Sequence, residues 1–140
     1  MGLVTAEITL TNPLDVGYAR EGYIETEDIR SVTVLSIVDT GAMTLVITEE
    51  LRRKLGLRII KDKMSKIANG QRVKSHITDS VEVRWKNRIS TVNPVVIPGA
   101  DLILLGLIPL ESMDLIVNPV TQELVGAHGD EEEIMCVGVT

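Results

Sequence analysis

Short apolar blocks alternate with polar stretches along most of the chain, and many of the polar stretches contain glycine, proline or asparagine. The apolar blocks are rich in Val, Ile and Leu, and several of them alternate apolar with polar residues. This composition and spacing are typical of β-strands that bury one face. The pattern predicts strands at residues 4–11, 31–38, 42–47, 77–85, 89–97, 101–106, 114–117, 123–125 and 134–139.

Residues 48–55 carry the signals of a short helix. Thr48 can cap the first backbone amides, two acidic residues follow it, and basic residues occupy the last turn. Gly56 then provides a suitable end for the helix. Residues 107–113 are predicted to form one further helical turn, whereas the polar residues 15–30 are predicted to form a hairpin or loop.

The dipeptide Asn69-Gly70 lies inside the polar stretch 61–73, between two extended segments. Because this dipeptide is a strong hairpin signal, the sequence predicts a β-hairpin there. Strands therefore dominate, and the predicted fold class is mainly β, a small closed or near-closed barrel with one or two short helices. The length fits a single domain over residues 1–140, with an acidic turn or tail at residues 128–133.

Composition sets expectations for the location of the protein. The chain has a single cysteine, Cys136, which cannot form an internal disulfide, so a reducing compartment is expected. The N-terminus shows no secretory signal, and the longest apolar stretch, 102–110, is about half of what a membrane span needs. We therefore expect a soluble, cytoplasmic protein with no membrane partner.

The charged residues are unevenly distributed along the chain. The formal net charge of −6 argues against general nucleic-acid binding. Twelve of the 14 Lys and Arg residues nevertheless lie within residues 52–88, and four consecutive acids occupy residues 130–133. The simpler interpretation is a solvated basic face and an acidic tail. The alternative is a basic rim that prefers acidic substrates or pairs with the tail.

Asp39 is the candidate for chemistry, because the apolar strand predicted at 31–38 delivers it directly into a Thr-Gly turn. No His, Lys or Cys stands close to it in sequence to activate it or to share a metal. We therefore interpret Asp39 as one of a pair of carboxylates, and its partner must come from a second copy, since the chain contains one Asp-Thr-Gly. The tripeptide alone is weak evidence, because Asp and Gly are common in ordinary turns.

The surroundings of Asp39 make the signal more specific. Between residues 31 and 125, the chain resembles the single-domain, retropepsin-like aspartic proteases. The family pattern of two apolar residues followed by Asp-Thr-Gly-Ala is present at residues 37–42. The flap hairpin of the family is matched at residues 69–70, and its second apolar-apolar-Gly strand at residues 103–106.

This resemblance implies a small β-barrel that dimerises and has its active site on the dimer axis, where each subunit supplies one catalytic Asp. Asp39 is then the catalytic residue, and the hydroxyl of Thr40 bonds across the dimer to hold the two loops. Gly41 is expected to hydrogen-bond the substrate backbone, and Gly106 to let the second strand approach the Asp39 loop closely. The implied site residues are the active-site loop Thr40, Gly41 and Ala42, the flap and substrate-binding residues Ala68, Asn69, Gly70 and Gln71, and the second apolar strand Leu104, Leu105 and Gly106.

The mechanism that the resemblance implies needs no metal or cofactor. Two adjacent carboxylates share one proton, because ionising both at once is costly. The charged one can take a proton from a bound water while the protonated one donates to the scissile carbonyl. The chain is therefore predicted to be a homodimeric aspartic endopeptidase that acts on a peptide or protein substrate. The open alternatives are a non-catalytic β-barrel module for peptide binding or assembly, and a subunit of a larger complex that uses the basic 52–88 surface.

The remaining chemistry-bearing residues are interpreted as structural. Asp101 is interpreted as a turn residue, since it lacks the Thr-Gly that an active-site loop would need. His76 and His128 lack metal-ligand spacing and are expected at the surface or in packing. Trp85 ends a predicted strand and is expected in the core or in an interface. Met43 departs from the family pattern, because many relatives carry Ser, Asp or Thr at that position.

Overall fold

The computed structural model describes residues 3–131. Within that range the chain contains eleven β-strands, three short α-helices and one turn of 3-10 helix at Thr26–Asp28. The strands are β1 (Thr5–Thr11), β2 (Ser31–Val38), β3 (Val46–Ile47), β4 (Ile59–Lys66), β5 (Arg72–Thr78), β6 (Val81–Trp85), β7 (Arg88–Val92), β8 (Val95–Val96), β9 (Leu104–Leu105), β10 (Leu115–Asn118) and β11 (Glu123–Gly126). The helices are α1 (Pro13–Arg20), α2 (Glu49–Leu55) and α3 (Leu107–Ser112). Among the described residues, no helix has the length and apolar content needed to cross a membrane.

Nine of the strands form one curled half-barrel sheet in the order β4-β5-β8-β3-β9-β2-β1-β6-β7, and β10 pairs with β11 in a separate hairpin. The predicted mainly-β class and near-closed barrel are therefore confirmed. The described part of the chain holds three short α-helices, where the sequence predicted one or two. In the middle of the sheet β2 runs parallel to β9, so the carboxyl ends of these two strands lie side by side.

The hydrophobic core covers one face of the sheet. In β1, alternate residues Ala6, Ile8 and Leu10 are buried, as the two-residue period of a strand requires. Helix α2 adds Leu51 and Leu55 to the same core. Full burial of an aliphatic side chain of this size stabilises the fold by about 1.5–3 kcal/mol, so these elements are held mainly by their apolar faces.

Helix α2 forms where its end signals predicted it. The hydroxyl oxygen of Thr48 accepts a hydrogen bond from the Leu51 amide at 3.1 Å and so caps the first turn. Gly56 ends the helix in the left-handed conformation, with φ of 68°, which glycine adopts without strain.

Helix α1 begins at Pro13 and continues to Arg20, and the 3-10 turn follows at Thr26–Asp28. The prediction of a hairpin or loop at residues 15–30 is therefore wrong. The side-chain oxygen of Asn12 accepts from two amides of the first turn, and Pro13 occupies the first helical position, where no amide is needed. The guanidinium of Arg30 then donates to both carboxylate oxygens of Asp15, at 2.8 and 2.9 Å. This last contact is tertiary and leaves no periodic pattern in the sequence.

The strands predicted at 42–47, 77–85, 89–97 and 101–106 are shorter or interrupted in the structure. Pro94 separates β7 from β8, because proline has no amide to donate to a ladder. The carbonyls of Ala42 and Met43 bind the first turn of α3 instead of a neighbouring strand. The predicted strand at 134–139, Cys136 and the last acidic residues at 132–133 lie outside the described residues.

Candidate active site

Asp39 directly follows β2, at the point where β2 and β9 end side by side. Its backbone amide donates to the Leu105 carbonyl at 3.0 Å, next to the paired residues Val38 and Leu105. The chain then turns, because the Ala42 amide donates back to the Asp39 carbonyl at 3.1 Å. Strand β2 thus presents one carboxylate in a tight loop whose backbone is held on both sides.

The carboxylate of Asp39 is oriented by the backbone of its own loop. Its Oδ1 accepts a hydrogen bond from the Gly41 amide at 2.9 Å. A Cβ atom on residue 41 would lie 3.1 Å from that oxygen, so glycine allows this close approach. Within residues 3–131, no basic side chain forms an ion pair with Asp39. The side chain is half-buried, and Thr40 and Gly41 beside it are exposed.

Gly106 lets α3 dock against the loop that carries Asp39. A Cβ atom there would lie 2.2 Å from the Thr44 carbonyl oxygen and 2.6 Å from that of Ala42, so no other residue fits. The Leu107 amide donates to the Ala42 carbonyl at 2.9 Å, and the next amide of α3 donates to the Met43 carbonyl at the same distance. The close approach predicted for Gly106 is confirmed, and its physical role is to fix the loop that carries Asp39.

The surface around this loop exposes several side chains. Thr40 is exposed, and its hydroxyl makes no hydrogen bond within the described part of the chain. Met43 is 67% exposed, and Ile108, whose amide bonds the Met43 carbonyl, is 46% exposed. Met43 thus supports the loop through its backbone while its side chain points outward.

The predicted hairpin at Asn69-Gly70 is confirmed, and it joins β4 to β5. The Gly70 amide donates to the Ile67 carbonyl at 2.9 Å, and the Ile67 amide donates to the Gln71 carbonyl at 3.0 Å. The Ile67–Gln71 hydrogen bond encloses three residues, 68–70, so the loop is one residue longer than a two-residue Asn-Gly turn, and only Gly70 in it has a positive φ, 83°. The side chain of Asn69 accepts from the Gln71 amide at 2.8 Å, so the exposed tip has a defined conformation.

A continuous row of apolar residues crosses the sheet on the face that Asp39 shares. Residues that pair directly across neighbouring strands point to the same face of the sheet. Asp39 follows Ile37 by two positions, so the two-residue alternation of a strand directs the side chains of Ile37 and Asp39 to one face. We call this row the cleft row. It runs through five residues paired in succession on β2, β9, β3, β8 and β5, namely Ile37, Leu104, Val46, Val95 and Ile77. The neighbouring row, which includes the buried Leu105 and Val96, faces the core.

The other candidates from the sequence lie apart from any catalytic grouping in the described residues. His76 Nδ1 contacts the Asp62 carboxylate at 2.6 Å, and His128 Nδ1 contacts that of Asp114 at 2.9 Å. Asp101 is exposed in an irregular segment. No cluster of three or more His, Cys, Asp or Glu suited to a metal ion occurs within residues 3–131. Trp85 is partly buried against the core, as predicted.

A model of the aspartyl protease family matches residues 26–108 of the chain, which is more than half of its length. The matched range contains the Asp39 loop, the hairpin and the Gly106 segment. The chain therefore belongs to the aspartyl protease family, as the residues around Asp39 predicted.

Curated protein sequences and solved structures give two further comparisons. No curated protein sequence matches the chain significantly. Among solved structures, the chain is similar to a retropepsin-like aspartic protease from Rickettsia conorii, with 20% identity and a TM-score of 0.44. The match covers 84% of this chain and 89% of that one.

The sequence predicted Asp39 as the site carboxylate but did not indicate most of the cleft row. Leu104 was predicted as part of the second apolar strand, whereas Val46, Val95 and Ile77 were not singled out. Alternation within each strand was visible in the sequence. The register across five strands, which decides which alternate residues share a face with Asp39, is not visible there.

Proposed function

We propose that the chain is an aspartic endopeptidase that acts as a homodimer, with Asp39 from each copy forming the catalytic pair. The observation that carries this proposal is the half-site itself. One carboxylate is oriented by a backbone hydrogen bond in a loop whose Thr40 and Gly41 are exposed, and the chain has a single Asp-Thr-Gly, so an equivalent second carboxylate requires another copy. Membership of the aspartyl protease family supports the same chemistry.

The proposed reaction is a direct attack of water on the scissile carbonyl. The ionised Asp39 takes a proton from the water, whose oxygen forms a bond to the carbonyl carbon. The protonated Asp39 of the other copy donates to the carbonyl oxygen. When the tetrahedral intermediate collapses, the carbon–nitrogen bond breaks, the Asp39 that took the water proton gives it to the leaving amine, and one hydroxyl of the intermediate returns its proton to the other Asp39 as the new carboxyl group forms. The Gly41 amide, bonded to Oδ1 at 2.9 Å, keeps the carboxylate in one orientation throughout.

The substrate in this proposal is an extended peptide that lies between the hairpin and the cleft row. Extended peptides bind through main-chain hydrogen bonds, and apolar side chains fill pockets along the cleft. The hairpin tip, Ala68–Gln71, is exposed and serves as the flap that closes over the peptide. Closure excludes bulk water from the catalytic pair.

Exposed apolar side chains near Asp39 support association of two copies. Met43 is 67% exposed and Ile108 is 46% exposed, and both flank the loop that presents the exposed Thr40. Burying such side chains against a second copy is favourable, at about 25 cal/mol per Å² of apolar area. In this arrangement the Thr40 hydroxyl finds its hydrogen-bond partner in the other subunit.

Substitution of Asp39 tests the proposal. Wild-type protein should cleave members of a pool of synthetic ten-residue peptides with varied sequence, read by mass spectrometry, and Asp39→Asn should cleave none. Asp101→Asn removes an exposed acid elsewhere and should leave cleavage unchanged. Circular dichroism and sedimentation velocity should show all three proteins folded and dimeric at micromolar concentration. Cleavage by Asp39→Asn at the wild-type rate, or a strictly monomeric wild type that still cleaves, contradicts the proposal.

A further inference from the structure

The two faces of the flap hairpin carry different chemistry. Lys61 pairs with Ile77 across β4 and β5, and Lys63 pairs with Ser75. Because Ile77 is the last member of the cleft row, both lysines lie on the face that Asp39 shares. The sequence showed these lysines only as part of the basic 52–88 segment. The strand register shows which face of the sheet they occupy.

The acid of the hairpin lies on the opposite face. Asp62 contacts Nδ1 of His76 at 2.6 Å and Nζ of Lys74 at 3.2 Å. Alternation directs Asp62 away from the face of its two neighbours, Lys61 and Lys63. Both lysines are exposed, and neither forms an ion pair with any residue in the range 3–131. The cleft face of the flap therefore carries two positive charges that the hairpin itself leaves uncompensated.

Small polar residues hold the strands together beside these lysines. The buried Ser75 donates through its hydroxyl to the Lys63 carbonyl at 2.8 Å, and its oxygen lies 2.6 Å from that of Ser65. These contacts fix β4 against β5 at Lys63.

We infer that Lys61 and Lys63 make the enzyme selective for peptides that carry an acidic side chain at a distance from the scissile bond. This inference rests on the proposed peptidase function and names its substrate class. The cleft row next to Asp39 is apolar, and the positive charge begins only where the row reaches the flap. The carboxylate recognised by the lysines must therefore lie several residues away from the cleaved bond, since an extended peptide advances about 3.3 Å per residue.

The test uses matched peptides that differ in one charge. A cleavable peptide is taken from the pool. Glu or Gln is then placed in turn at each position outside the four residues that flank the scissile bond. At one or more positions, wild-type kcat/KM should be about two- to fivefold higher with Glu, the scale of exposed charge pairs. The preference should shrink as salt is raised from 50 mM to 500 mM, because exposed charges are screened.

Reversing the charge on each face of the hairpin assigns the preference. The double variant Lys61→Glu with Lys63→Glu should lose the preference for Glu peptides or reverse it. Lys66→Glu is the matched control for each single change, Lys61→Glu or Lys63→Glu, because Lys66 is exposed on the Asp62 face and makes no ion pair with a described residue. Equal effects of the two changes, or no difference between Glu and Gln peptides in wild-type protein, overturn the inference.

A binding measurement separates this inference from the proposed function. Fluorescence anisotropy of labelled pairs of ten-residue pool peptides that differ only in Glu or Gln, measured with the Asp39→Asn protein, reports recognition without cleavage. If wild-type protein cleaves nothing while this variant still binds the Glu peptide more tightly, the peptidase proposal fails and the recognition by Lys61 and Lys63 stands. If cleavage is robust and both peptides bind equally, the inference fails and the peptidase proposal stands.

Discussion

The Gly41 amide donates a 2.9 Å hydrogen bond to Oδ1 of Asp39, and a Cβ on residue 41 would lie 3.1 Å from that oxygen. The orientation of the carboxylate therefore depends on the absence of a side chain two residues further along. This relationship links a turn glycine to the chemistry of the site.

Gly41→Ala should lower kcat/KM while leaving the fold almost intact. The added methyl group crowds Oδ1 and rotates the carboxylate, and small misplacements of a catalytic group cost about 10- to 100-fold in rate. Steady-state kinetics on a peptide from the pool, with the urea midpoint as a check on folding, measure both effects. Unchanged kcat/KM would show that this contact does not orient Asp39.

Gly106→Ala should destabilise the fold instead. Its Cβ would meet two carbonyl oxygens at 2.2 and 2.6 Å, and backbone atoms cannot rotate away. A loss of about 3 kcal/mol in the free energy of unfolding is expected, in the range of overpacked cores. Gly17→Ala is the control, since no atom lies within 4 Å of its added Cβ in α1. That change should stabilise the protein by about 0.5–1 kcal/mol. Equal effects in urea unfolding would contradict the packing argument.

Asp15 and Arg30 should make the stability of the protein depend on pH. The hydrogen bonds from Arg30 hold the pKa of the Asp15 carboxyl below its usual value. Asp15 is buried, whereas 48% of the Arg30 side chain is exposed and can rehydrate. Asp15→Asn should therefore cost about 1–2 kcal/mol at pH 7, the lower end for bonds to charged groups.

The sign of this pH effect follows from the lowered pKa. The pair stabilises the fold at pH values above the ordinary Asp pKa of about 3.9 and loses that contribution as pH falls through the folded-state value. Urea unfolding at pH 7 and at about pH 3 should therefore show a large difference between wild type and Asp15→Asn at pH 7 and a smaller one at pH 3. A difference that grows on acidification would contradict the assignment.

The local signals in the sequence predicted the elements that position the site. The strand before Asp39, the caps of α2 and the hairpin at Asn69-Gly70 each depend on neighbouring residues, so pattern alone was sufficient. Helix α1 was missed because Asn12-Pro13 was taken only as a strand end. It also depends on the contact between Asp15 and Arg30, which is distant in sequence.

The direction of the flap lysines needed tertiary information. Lys61 and Lys63 alternate with Asp62, so the sequence already places the two lysines on one face of the strand and Asp62 on the other. The sequence does not show which of these two faces Asp39 shares. That depends on the pairing register between successive strands from β4 through β5, β8, β3 and β9 to β2. A slip of one residue at any of these pairings would reverse the assignment.

Mixing wild-type and Asp39→Asn subunits tests the shared catalytic pair most directly. The two proteins are combined in equal amounts at constant total concentration and allowed to exchange subunits, with exchange verified by energy transfer between labels. If each active site needs Asp39 from both copies, activity should fall to about one quarter of the wild-type value, since only wild-type pairs are active in a symmetric dimer. A fall to only about one half would mean that each chain cleaves by itself, and the account built on two copies of Asp39 would be wrong.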